Sequence, residues 1–173
     1  MSATPSPRPY VVLLVDDDLR TTRRLAEMLR EDGFAVETAR DGAAAIAQLS
    51  RAALPDALVT ELTTAHADGL AVARFARSQK PELPVLVVTS YPNLFRADAL
   101  PVGPAVSVFT KPVDYTALRE ALRAALGAAE SRHTAENGAA EDLRAISQLE
   151  SAADNARRNT LSGAETVRAL RRT

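Results

Sequence analysis

The chain has no cysteine, and lysine stands only at Lys80 and Lys111 among basic residues that are otherwise arginine. Without cysteine there is no disulfide, no thiolate nucleophile and no cysteine-based metal site, and the chain fits a reducing compartment; the cytoplasm is the expectation. Long apolar runs are missing too. No stretch approaches the roughly 18 uninterrupted apolar residues of a membrane span, and Ser2-Ala3-Thr4-Pro5-Ser6-Pro7-Arg8-Pro9 lacks the apolar centre of a signal peptide, so residues 1–9 read as a flexible leader. Charge of one sign is also lacking. A formal net charge of −1 over 173 residues gives no whole-chain attraction to nucleic acid or to an anionic membrane. That length suits one ordinary domain plus a tail.

What is present is a repeating alternation. Val11-Val12-Leu13-Leu14-Val15 is too short for a helix and apolar throughout, as in a strand buried on both faces. A helix follows from about Leu19 to Glu31, with Leu25, Met28 and Leu29 on one side, and Gly33 stops it. Phe34 to Thr38 is a second strand, Gly42 to Arg51 a second helix, and Ala57 to Val59 a third strand. A helix near Leu70 to Ser78, the strand Val85 to Thr89, and a strand over Ala105 to Phe109 extend the pattern. Between the last two, Pro92, Pro101, Gly103 and Pro104 leave room only for a short or irregular helix. The final helix of the unit shows Leu118, Ala121, Leu122, Ala125 and Leu126 at helical spacing.

Five strands alternating with helices predict a doubly wound parallel α/β sheet, which carries its functional groups at the carboxyl ends of the strands. The polar residues fall there. Asp16 and Asp17 end the first strand, Glu61 the third and Thr89 the fourth, and Lys111 follows the fifth. Adjacent carboxylates can hold a hard divalent cation, while an ammonium and a hydroxyl stabilise phosphate oxygens. Such a cluster suits phosphoryl transfer.

Residues 10–127 resemble the receiver domain of two-component response regulators. The resemblance rests on Val15-Asp16-Asp17-Asp18, Pro55-Asp56, Asp68-Gly69-Leu70, Val88-Thr89-Ser90 and Lys111-Pro112, in that order and at that spacing. It implies the flavodoxin-like strand order 2-1-3-4-5, magnesium at Asp16 and Asp17, phosphoryl contacts at Thr89 and Lys111, and a cis peptide between Lys111 and Pro112. Two positions depart from the family. The phospho-accepting aspartate falls on Glu61, and the aromatic switch residue usual three places before the lysine falls on Val108, with Phe109 one place late.

The extra methylene of Glu61 pushes its carboxylate ~1.5 Å further out, one carbon-carbon bond, and a misplacement of about 1 Å can cost ~10²-fold in an in-line attack. Asp56 starts the strand and belongs at the opposite end of the sheet. Plainer readings stand beside the functional ones. Asp16 and Asp17 also suit a strand-end turn or helix cap, Lys111 an ion pair with Glu61 or Asp17, Thr89 a strand terminus, His66 an exposed loop, and Asp68-Gly69 a turn and cap.

Residues 128–138, rich in Ala, Glu, Ser, Thr and Asn, read as a linker, and 139–173 as a helical extension. Leu143, Ile146, Leu149, Ala153 and Ala156 form an apolar stripe, and Ser162-Gly163-Ala164-Glu165 has the spacing of a capping box opening a last short helix. Arg157, Arg158, Arg168, Arg171 and Arg172 make the end basic, a candidate DNA contact. Arg158-Asn159-Thr160-Leu161 resembles the start of the recognition helix in the Fis-type helix-turn-helix, though without the glycine of its turn.

The expectation is thus a signalling domain and not an enzyme: an atypical response regulator whose contacts to a histidine kinase, a downstream regulator or a second copy do not depend on phosphorylation. It needs no cofactor, although magnesium has a place in the pattern. Two alternatives stay open, a transcription regulator binding DNA through its basic helices and a receiver still phosphorylated by a histidine kinase.

Overall fold

The computed structural model describes residues 8–51, 53–64, 68–100 and 103–170, with the backbone but not the side chains of 97, 136, 149 and 152–170. Its strands are β1 (Val11–Val15), β2 (Ala35–Ala39), β3 (Ala57–Thr60), β4 (Val85–Thr89) and β5 (Ser107–Thr110); its helices are α1 (Leu19–Glu31), α2 (Gly42–Leu49), α3 (Gly69–Gln79) and α4 (Tyr115–Leu170). The strands form one sheet in the order 2-1-3-4-5, each described pairing parallel. The expected architecture is the one observed. Two short 3₁₀ turns, Pro92–Leu94 and Ala97–Ala99, occupy the proline-rich stretch between β4 and β5.

Alternation along the strands sends residues to two faces. Val12, Leu14, Val59, Leu86 and Val88 pack with Leu25 and Leu29 of α1 and Leu118, Leu122 and Leu126 of α4. Leu13, Val15, Leu58, Val85 and Val87 pack on the opposite face with α2 and α3. Each fully buried leucine contributes about 1.5–3 kcal/mol over an exposed one, which is what closes the two layers on the sheet. Aspartates start the first three helices: Asp18, Asp41 and Asp68 accept hydrogen bonds from the amides of Arg20, Ala44 and Ala71 at 2.9, 2.7 and 2.6 Å.

The chain divides into two units, Met1–Ala129 and Glu130–Thr173. The backbone corrects the sequence reading here. α4 runs without a break from Tyr115 to Leu170, so 128–138 is not an irregular linker and Ser162 does not open a separate helix. All ten prolines lie at or before Pro112, and the glycines at 127, 138 and 163 are the remaining breakers. A glycine inside a helix costs only about 1 kcal/mol, which the surrounding alanines tolerate. Without a turn near Ala156, the Fis-type resemblance at Arg158-Asn159-Thr160-Leu161 loses its structural basis. Among the described residues, no helix is long and apolar enough to cross a membrane.

Candidate functional site

The sheet register sets the ends of the strands side by side, with Val15 opposite Thr60 and Thr89 opposite Thr110. Asp16, Glu61 and Thr89 are therefore neighbours, and all three are buried. Lys111 reaches them from the end of β5. Its Nζ lies 2.7 Å from Asp16 Oδ2 and 2.7 Å from Glu61 Oε2. The peptide between Lys111 and Pro112 is cis, as the family resemblance implies, and the Lys111 amide donates to the Thr89 carbonyl at 2.9 Å.

Glu61 does not extend into open space. Its Oε1 turns back to accept the Leu62 amide at 2.7 Å and the Thr63 amide at 3.3 Å, while Oε2 faces Lys111. The Thr89 hydroxyl hydrogen-bonds the same carboxylate and accepts the Tyr91 amide at 3.1 Å. The added methylene is used to curl the side chain onto its own backbone, where the sequence led us to expect it thrust into the pocket.

Electrostatics separate the two acids. Burial pushes the pKa of Glu61 up, but its hydrogen bonds from Lys111 and Thr89, the Lys111 charge and the Leu62 amide outweigh that, and it ends below the usual glutamate value. Burial likewise raises Asp16, and there the bonds from Lys111 and the Asp18 amide do not compensate, with the Glu61 charge adding to the rise. Lys111 is lowered by burial yet ends above its ordinary value, because both carboxylates hold its proton. A buried ion pair is tolerated only when its desolvation is offset in this way.

Asp17, expected as a metal ligand or ion-pair partner of Lys111, is exposed, and the ammonium pairs with Asp16 instead. Among the described residues, no three carboxylate or imidazole groups converge on a cation-sized site. Asp16 has one oxygen on Lys111 and the other on the Asp18 amide at 2.9 Å, so each of its oxygens already has a partner.

Asp56 lies at the far end of the sheet. There it accepts two bonds from Arg8, at 2.7 and 2.9 Å, and one from the Val11 amide at 2.8 Å, with Lys80 3.8 Å away. Residues 1–7 of the expected leader, and His66, lie outside the described residues. So do Arg171 and Arg172, and the side chains of Arg157, Arg158 and Arg168 are likewise not described.

Val108 is 36% exposed, whereas Phe109 packs partly buried against the face of the sheet that α1 and α4 cover. The ring thus sits on the wrong side of β5 to move toward Thr89. One contributor escaped the sequence reading. A Cβ on Gly69 would lie 2.0 Å from the Glu61 carbonyl oxygen, so α3 approaches the site as closely as it does only because residue 69 is glycine. The Asp-Gly pair ahead of a helix was its only signal.

The family model for the response regulator receiver domain matches residues 12–123. The chain is 33% identical over 129 residues to the transcriptional regulatory protein ZraR of Salmonella typhimurium, covering 74% of this chain and 28% of that protein. It is 35% identical over 134 residues to the response regulator MprA of Mycolicibacterium vanbaalenii, covering 77% and 55%. It therefore spans between about a quarter and about half of these relatives' lengths. Among solved structures, a response regulator receiver protein from Sinorhizobium medicae superposes with a TM-score of 0.63 at 28% identity, covering 72% of this chain and 99% of that one. With the receiver model matching most of the chain and a parallel sheet in the order 2-1-3-4-5, this chain belongs to the response regulator receiver family of two-component signalling.

Proposed function

We propose that the chain is an atypical response regulator that acts through protein contacts without accepting a phosphoryl group, Glu61 taking the place of the phospho-accepting aspartate and imitating its phosphorylated state. The observation that carries this is the saturation of the Glu61 carboxylate, bound at once by the Leu62 amide, by Thr89 and by Lys111 at 2.7 Å. A nucleophilic carboxylate needs a free oxygen in line with the donor, and both oxygens here are engaged. The contacts to Lys111 and Thr89 are those a phosphoryl group would draw, made by one negative charge where a phosphoryl group carries more. Such a domain needs no cofactor, and its partners are a histidine kinase or a downstream regulator.

The test is incubation with acetyl phosphate and magnesium followed by intact mass measurement. No phosphate adduct is expected on the native chain, and Glu61→Asp is expected to take one up. A stoichiometric adduct on the native chain would sink the proposal in favour of a working phosphotransfer receiver.

A second reading has its own support. Relatives are named transcriptional regulatory proteins, and residues 155–173 carry five arginines against one glutamate. On that reading the basic end binds DNA, with an affinity that falls steeply as salt rises and disappears on deleting residues 139–173.

A further inference from the structure

The unit Glu130–Thr173 is helical along its described backbone, and it leaves Leu143 68% and Ile146 53% exposed. A helix with leucine and isoleucine in water draws its stability from covering an apolar stripe, not from propensity. The stripe has a strict spacing. From Ile146 to Leu170, steps of three and four residues in alternation read Ile, Leu, Ala, Ala, Thr, Gly, Val, Leu, the a and d places of a coiled coil.

We propose that this stripe is covered by the same stripe of a second copy of the chain, running antiparallel and centred between residues 154 and 155. The sequence supports that orientation in three ways. Residues 130–154 hold six acids against two arginines, and residues 155–173 five arginines against one glutamate. Antiparallel pairing lays each acidic half on a basic half, whereas parallel pairing stacks like on like. Size is complementary about the same centre: Ile146 comes level with Gly163 of the second copy and Leu149 with Thr160, large against small.

The flanking e places decide the direction most sharply, since charges there set partner choice and orientation. They read Glu136, Leu143, Glu150, Arg157 and Ala164. In the antiparallel pair Glu150 meets Arg157 and Leu143 meets Ala164, each contact occurring twice by symmetry. The g places, every seventh residue from Ser131 to Thr173, hold no charged residue, so a parallel pair would have nothing to set against the e charges. Folding the stripe onto the chain's own receiver would leave this alternation without a role.

The proposal does not depend on how Glu61 is used, and its failure would leave the acetyl phosphate result untouched. Sedimentation equilibrium of the full chain should show a dimer at low salt that weakens as salt rises. Because the chain has no cysteine, Ala140→Cys accepts a single spin label, and a helical rise of 1.5 Å per residue puts the two labels roughly 45 Å apart in the antiparallel pair, against under about 25 Å in a parallel one. Glu150→Arg should raise the dissociation constant about tenfold or more by setting arginine against arginine, and adding Arg157→Glu should restore it. A monomer at every concentration, a short label distance, or a charge swap that does not rescue would each overturn the proposal.

Discussion

Glu61 and Asp16 hold the same ammonium but stand on opposite sides of their ordinary pKa values, Glu61 below and Asp16 above. Their contributions to stability therefore carry opposite signs. Glu61, with its folded pKa lowered, stabilises the fold above its ordinary value of 4.5, and that contribution fades as pH falls through the lower folded value. Asp16, raised by burial, favours the fold below its ordinary value of 3.8 and loses that contribution as pH rises through the raised one, so at neutral pH its charge is a net cost. Glu61→Gln should accordingly destabilise the domain by about 1–3 kcal/mol in urea unfolding at pH 7, through the charge-assisted bonds it gives up. Asp16→Asn should cost less than that, or stabilise. Equal losses for the two substitutions would argue against the unequal burdens assigned here. Which acid shares the lysine was the part of the site the sequence left open: Asp16 and Asp17 are the same letter, and only the turn into α1 decides that the first is buried and the second exposed.

At the scale of elements, α3 and β3 meet through the contact of Gly69 with the Glu61 carbonyl. Gly69→Ala would set a methyl 2.0 Å from that oxygen and 2.8 Å from Thr60 Oγ1, and should cost about 3 kcal/mol in thermal unfolding by forcing the helix away. Gly127→Ala is the contrasting case, since nothing lies within 4 Å of its added carbon and its helix continues on either side. It should stabilise by about 0.5–1 kcal/mol. The strands were legible because a parallel sheet buried on both faces demands continuous apolar runs, and the start of the third helix was legible through Asp68. The course of α4 was not. Glycine and small polar residues around Gly127 and Gly138 carry the letters of a turn, while the energy they cost is too small to stop a helix that alanine favours on both sides. Val108 and Phe109 show the reverse case, in which strand alternation alone told that the late ring would face away from the site.

Across the whole receiver, the first and last helices are tied by side chains far apart in sequence. The Tyr115 hydroxyl shares its single proton between the Met28 carbonyl at 2.8 Å and the Asp32 carboxylate, and Arg123 donates to the Asp32 carbonyl at 3.0 Å. Burial and the Asp32 carboxylate push Tyr115 up to about 12 from an ordinary value of 10.0. A raised pKa in the folded state means stabilisation that is complete below pH 10.0 and is lost as pH climbs toward about 12. Tyr115→Phe should remove that portion, so the stability difference between the native chain and the variant should shrink across this window; a difference constant with pH would rule the tie out. Lys111 also titrates late, but equally in both proteins, and drops out of the comparison.

Lys80 and Lys111 are the chain's lysines, and the sheet separates them, one beside Asp56 at its amino edge and the other between Asp16 and Glu61 at its carboxyl edge. Cells fed isotope-labelled lysine would therefore yield a protein with a two-signal amide spectrum. One resonance reads the candidate site and the other the opposite end of the same sheet. The arginine-rich composition thus leaves the domain with its own reporter and its own internal reference, free of any substitution.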